Sequence, residues 1–156
     1  MKALTFGILI LTQISFSQQT GLQPSAYEHV FRHSLHLKAK EVELSSQGKA
    51  SNMGNYYKDL AALSETESNF FRSVALAAVA ELDALDQQAK AIIQKGRAAR
   101  KAGEKLGPPP IELNQLQAQR NASLAKYYGN LSQTLGPQAF KRLEDALIAK
   151  KNSGGK

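Results

Sequence analysis

Residues 64–105 read SETESNFFRSVALAAVAELDALDQQAKAIIQKGRAARKAGEK, and this stretch decides the fold. Its apolar positions keep a seven-residue period. Phe71, Ala78, Leu85 and Ile92 form one row, and Ala75, Leu82, Ala89 and Gly96 form the companion row. A 3-4 alternation of this kind draws one stripe along a helix that packs lengthwise on other helices. The stretch therefore predicts a single long helix from Ser64 to about Lys105, covered by shorter ones. The expected fold class is all-α: an antiparallel helical bundle or hairpin with coiled-coil-like packing. The same seam, Phe71 to Gly96, offers a surface for a homodimer.

Both ends of that helix are marked. Ser64-Glu65-Thr66-Glu67 fits a capping box, in which the serine hydroxyl accepts from the Glu67 amide and the Glu67 carboxylate accepts from the Ser64 amide. At the far end Gly103 and Gly107 weaken the helix, and Pro108-Pro109-Pro110 cannot continue it. Acids Glu65, Glu67, Glu81, Asp83 and Asp86 lie early, and bases Lys90, Lys95, Arg97, Arg100, Lys101 and Lys105 lie late. That order suits the helix dipole, though the effect reaches only the terminal turns.

The first residues follow a different pattern. Met1-Lys2 is short and positive, Ala3 to Ile14 is an apolar run, and Ser15-Phe16-Ser17 places small residues where a signal peptidase reads. Residues 1–17 are therefore expected to be a signal peptide cleaved after Ser17, exporting the protein to the periplasm or the cell exterior. The apolar run falls short of the roughly 20 residues that span a bilayer. Cleavage would leave 139 of the 156 residues, enough for one domain with a sizeable core.

The chain has no cysteine, which excludes a disulfide framework and thiolate metal sites. It has no tryptophan and few aromatics, so the core is expected to be mainly Leu, Ala and Ile. The formal charge is +7, and loss of Lys2 would leave +6. A basic exported protein is drawn to anionic envelope surfaces or acidic proteins; the bland alternative is that the lysines keep a helical protein soluble. No aromatic residue interleaves the bases of the long helix, which argues against nucleic acid.

In chain order, residues 18–23 are expected to be a flexible N-terminus, 24–150 one helical domain broken at 106–110, and 151–156 a disordered tail. Pro24 to about Gln47 reads as a helix with Tyr27, Val30, Phe31, Leu35, Lys38 and Val42 on one side, ended by Gly48. Asn55 to Ala62 reads as a short helix. Ile111 to Leu131 reads as a helix with Leu113, Leu116, Leu124, Tyr127 and Leu131 on one face. Leu135-Gly136-Pro137 is a break and restart, with Pro137 in the first turn of a last helix that buries Phe140, Leu143 and Leu147. Tyr56-Tyr57 before Phe70, and Tyr127-Tyr128 before Phe140, echo one another. Duplication of a helix-turn-helix unit or two similar answers to one packing problem would each produce that echo.

Three groups of residues could carry chemistry. His29, His33 and His36 are all the histidines in the chain, and they share one face of the first helix, opposite Tyr27 and Phe31. Imidazoles one turn apart can chelate zinc or copper, here with Glu43 or a second copy of the chain; the alternative is a solvated polar face. Arg120 interrupts an apolar stripe between Leu116 and Leu124, and needs a carboxylate such as Glu81 or Asp86 or an exit to water. The bases at the end of the long helix do not share a face and imply general attraction to anions. Enzyme signatures are absent: no phosphate loop, no Gly-x-Ser-x-Gly elbow, no His-Glu-x-x-His. A non-catalytic protein without a resident cofactor is expected. Asn121-Ala122-Ser123 and Asn130-Leu131-Ser132 match the glycosylation acceptor pattern but fall inside a predicted helix.

Leu63-Ser64-Glu65-Thr66-Glu67 resembles the Leu-Thr-x-x-Gln motif at helix starts in the small exported helical chaperones of the Spy/CpxP type, with Ser for Thr and Glu for Gln. Leu135-Gly136-Pro137-Gln138-Ala139 departs further from it. The resemblance implies a cradle-like dimer, binding of unfolded clients and, in some members, metal. The same features fit an exported helical family outside that group. The leading expectation is an exported, non-catalytic helical binding protein of stress or chaperone type. The alternatives are a metal-binding stress protein using His29, His33 and His36, and a structural envelope component held by charge.

Overall fold

The computed structural model describes residues 22–103, 107, 108 and 110–153. The expected signal peptide 1–17, residues 18–21 and the last three residues of the expected tail lie outside the described residues, as do 104–106 at the expected end of the long helix. Four helices follow in order: α1 (Ala26–Ser46), α2 (Tyr56–Leu60), α3 (Glu65–Lys101) and α4 (Ile111–Ser153), with a 3-10 turn at Met53–Asn55 leading into α2. There is no strand among the described residues, and the all-α bundle is the fold of this chain.

α3 begins where the capping box places it. The Glu67 amide donates to Ser64 Oγ at 3.2 Å, and the Ser64 amide donates to the Glu67 carboxylate at 2.7 Å. Those bonds hold the Glu67 carboxyl below the usual carboxylate range. The helix ends at Lys101 rather than near Lys105, because Gly103 takes a left-handed φ of 80° and its amide caps the Arg100 carbonyl. Phe71, Ala75, Ala78 and Leu82 of the heptad rows are buried, whereas Leu85, Ala89, Ile92 and Gly96 are only half-buried. The first half of the seam is therefore covered within one chain, and only the Leu85–Gly96 half is left for another molecule.

α1 lies across the first half of α3. Its buried row is Tyr27, Val30, Phe31, Ser34 and Leu37. The expected stripe holds at Leu35, which is half-buried against the core, and is corrected at Lys38, which is exposed, and at Val42, which is 59% exposed. Steps of three and four from Tyr27 and Phe31 lead to Ser34 and Leu37, and Ser34 satisfies its buried hydroxyl by donating to the Phe31 carbonyl at 2.8 Å.

α4 is two helices joined without a loop. At Gly136 the backbone takes φ 73°, ψ 166°, and Pro137 follows in the first turn of the second half. Twelve residues of straight helix would separate Tyr128 from Phe140 by about 18 Å. Their ring centroids are 5.3 Å apart, and Tyr128 also donates to Glu144 at 3.2 Å, so the chain doubles back at Gly136. The second half runs to Ser153, so residues 151–153 of the expected disordered tail are helical.

The core is held by a run of touching rings: Phe140, Tyr128, Tyr27, Phe31, Phe71, Tyr57 and Tyr56, each within about 6 Å of the next. Both halves of the tyrosine echo are in it, joined through Tyr27 and Phe31 of α1. Leu82, Leu131 and Leu143 complete the interior, each stabilising the fold by about 1.5–3 kcal/mol through burial.

Candidate binding cleft and basic arm

Of the three histidines, His29 and His36 are exposed and only His33 is half-buried. His33 Nδ1 lies 2.8 Å from the Tyr57 hydroxyl, and its ring meets Tyr56 and Tyr57 edge-on. His29 stacks on His33 with centroids 5.8 Å apart and planes nearly parallel at 5°. Stacked imidazoles turn their faces to one another, whereas chelation aims two ring nitrogens at one point. No group of three or more His, Asp or Glu side chains is placed to hold a metal ion among the described residues, and Glu43 is paired with Lys40 at 2.8 Å. Burial, then the neighbouring His29 and His36, lower the His33 pKa, so its ring is neutral at pH 7. Burial also raises the Tyr57 hydroxyl, which stays protonated.

His29 and His33 form one wall of a half-open cleft of about 440 Å³. Ala26 and Val30 continue that wall along α1. Tyr56, Tyr57 and Leu60 of α2 face it, and Leu22 and Leu147 close the floor. Lys150 and Lys151, at the end of α4, stand at the rim. Among the described residues no carboxylate lines it. Glu144, about one turn before Leu147 on α4, is engaged by its own partners: its Oε1 accepts from the Leu22 amide at 3.2 Å and from the hydroxyls of Tyr128 and Tyr27. The fold-back at Gly136 creates this cleft, because it carries Leu147, Lys150 and Lys151 to the start of α1.

Arg120 has the carboxylates it requires. Its guanidinium bonds Asp86 and Glu28, while Arg32 bonds Asp83 at 2.6 Å, Asp86 at 3.0 Å and Glu28 at 3.0 Å. Two arginines and three acids thus tie α1, α3 and α4 together at one level. Glu81, the other expected partner, belongs to a separate group: it accepts from Ser123, Tyr127 and Lys126. Those three hydrogen bonds push its carboxyl down to about 2.

That ionic tie marks where the bundle ends. Asp86 is the last α3 side chain that α1 reaches by hydrogen bond among the described residues. Beyond it α3 and the start of α4 continue as a two-helix arm; the 15 residues from Asp86 to Lys101 alone extend it about 22 Å. Ile93 on the arm is 42% exposed and Ile111 is 68% exposed. Ile92, Ile93, Arg97, Arg100, Pro108 and Leu113 line a shallow groove between its two helices, of about 460 Å³. Residues 87–119 hold six bases and two acids, Glu104 and Glu112. The bases that share no face of the helix in sequence thus include two, Arg97 and Arg100, that meet on one apolar groove.

No family model, no curated protein and no solved structure matches this chain. The sequence singles out the histidines and Arg120, but not Tyr57, Leu22, Lys150 and Lys151. Tyr57 arrives through the packing of α2 on α1 and the two lysines through the fold-back of α4, and nothing local in the sequence announces either.

Proposed function

We propose that this is an exported, non-catalytic helical binding protein that offers its two-helix arm to an extended apolar segment of another protein, in the manner of a chaperone. The observation that carries this reading is the change along the α3 seam: Phe71 to Leu82 are buried, and Leu85 to Gly96 keep the same heptad rows only half-covered. A heptad row that continues past its own bundle is a surface suited to a third helix or an extended chain. The groove at Ile93 and Leu113 lies along it.

The test is suppression of aggregation of a chemically unfolded client, read by light scattering. Wild type should suppress it at near-equimolar ratio. The Ile93→Glu/Ile111→Glu variant alters two exposed side chains, so it should keep the wild-type circular dichroism and lose most of the suppression. Equal suppression by both proteins, or none by either, defeats the reading.

The charge of the arm favours a second reading, a structural component held on an anionic envelope surface. Sedimentation with anionic vesicles separates the two, since attraction by charge fades as salt rises and an apolar groove does not. The metal-binding reading has less support, because His29 and His33 stack and His33 is engaged by Tyr57.

A further inference from the structure

We propose that the cleft between α1, α2 and the end of α4 binds a monocarboxylate with an extended apolar tail, of the fatty-acid class, with the tail among Val30, Leu60 and Leu147 and the carboxylate at Lys150 and Lys151. This site is separate from the arm. Its volume, about 440 Å³, falls in the range of small-molecule sites. Its lining is divided by chemistry. Aliphatic side chains and the tyrosine rings make the interior; two ammonium groups stand at the rim; among the described residues no acid faces in.

Each feature excludes a different ligand. A cation meets two lysines and finds no carboxylate, since Glu144 is bonded by Tyr27, Tyr128 and the Leu22 amide and Glu28 is bonded by Arg32 and Arg120. A bare phosphate or a nucleotide would meet the two lysines but leave the apolar lining unused, and among the described residues the lining has no arginine to hold it bidentately. A neutral apolar molecule would leave the lysine pair without a role. An amphipathic carboxylate satisfies both halves of the lining. The polar inner wall adds a donor. Tyr57 remains a phenol and can donate to Nδ1 of the neutral His33 ring, which then carries its proton on Nε2. Among the described residues Nδ1 is the only ring nitrogen of His33 bonded to protein.

Titration of the full-length protein with decanoate below its micelle concentration, followed calorimetrically and by NMR at pH 7.5, tests this. One decanoate should bind per chain, shifting the ring signals of His33, Tyr56 and Tyr57. Lys150→Glu/Lys151→Glu changes two rim residues without touching the core and should weaken binding about tenfold, the effect of two partly screened charges. Decyltrimethylammonium, with the same tail and the opposite charge, should bind far more weakly than decanoate. The proposal is overturned if decanoate does not bind, if the two amphiphiles bind alike, if the lysine variant binds as tightly as wild type, or if the shifts spread away from the cleft. Equal binding of the two amphiphiles would point instead to an apolar peptide side chain as occupant.

Discussion

Ala62 closes α2 with a φ of 49°, in a turn that joins the Leu63 amide to the Lys58 carbonyl at 2.9 Å. Gly48 plays the same part after α1, where φ is 72° and the Lys49 amide reaches the Leu44 carbonyl. The two caps are alike, but alanine carries a side chain into left-handed backbone. Relief of about 1–2 kcal/mol of strain, offset by about 0.4–1 kcal/mol of added freedom in the unfolded chain, gives Ala62→Gly an expected gain of about 0.5–1 kcal/mol in urea unfolding. Gly136 is the opposite case. Its φ 73°, ψ 166° is open to glycine almost alone, so Gly136→Ala should cost about 1–3 kcal/mol although a Cβ there meets nothing within 4 Å. Glu81 sets a pH dependence. Its folded pKa is lowered from 4.5 to about 2, so its contribution is complete above the unfolded value and is lost as pH falls from about 4.5 through 2. The side chain is 37% exposed, which reduces the contribution through solvent screening. Stability measured from pH 6 to pH 2 should fall less steeply for Glu81→Gln than for wild type.

At the level of elements, the tie between α1, α3 and α4 depends on Arg120. The residue is 20% exposed and stands between Glu28 and Asp86. Arg120→Met removes charged hydrogen bonds and leaves Arg32 as the one guanidinium facing Glu28, Asp83 and Asp86, so an expected loss of about 1.5–3 kcal/mol in thermal unfolding follows. Unchanged or raised stability would show that the tie adds specificity rather than strength. The elements differ in how far their sequences announce them. The start of α3 was legible because the capping box is local, and Ser64 and Glu67 lie one turn apart. The break at Gly136-Pro137 was legible for the same reason, but its direction was not: nothing between Leu135 and Ala139 says that Phe140 returns to Tyr128. The buried row of α1 is not legible in full, because Val42 looks like core yet lies in water, while the row runs through Ser34, a polar residue that closes its hydrogen bond within its own helix. For Arg120 a carboxylate partner was legible, and Asp86 supplies it. Glu28 and Arg32 were not, since α1 meets Arg120 and Asp86 only through tertiary packing.

Across the whole molecule, burial is concentrated at one end. Phe71 to Leu82, α1 and the folded-back half of α4 share a core, whereas the arm has only its own two helices and leaves Ile93 and Ile111 in water. Local opening follows the density of buried contacts. Amide exchange should therefore be slowest from Phe71 to Leu82 and at least about tenfold faster from Ala89 to Lys101, although both belong to α3. Uniform protection along α3 would mean that the arm is covered in solution. The candidate cleft was the least legible feature, because its walls join residues 22–33, 56–60 and 147–151, and only the tertiary fold brings those stretches together.

The ring network has an optical consequence. The chain holds five tyrosines and no tryptophan, so phenols supply all of its longer-wavelength ultraviolet emission. In the folded protein Tyr27 and Tyr128 are bonded to Glu144, Tyr127 to Glu81 and Tyr57 to His33, and Tyr56 lies edge-on to Tyr57. An excited phenol is a much stronger acid than one at rest and passes its proton to a bonded carboxylate or imidazole without emitting light. The native molecule should therefore be dim and should brighten as it unfolds, and because these five residues draw on α1, α2 and α4, that single glow reports the loss of the bundle as a whole.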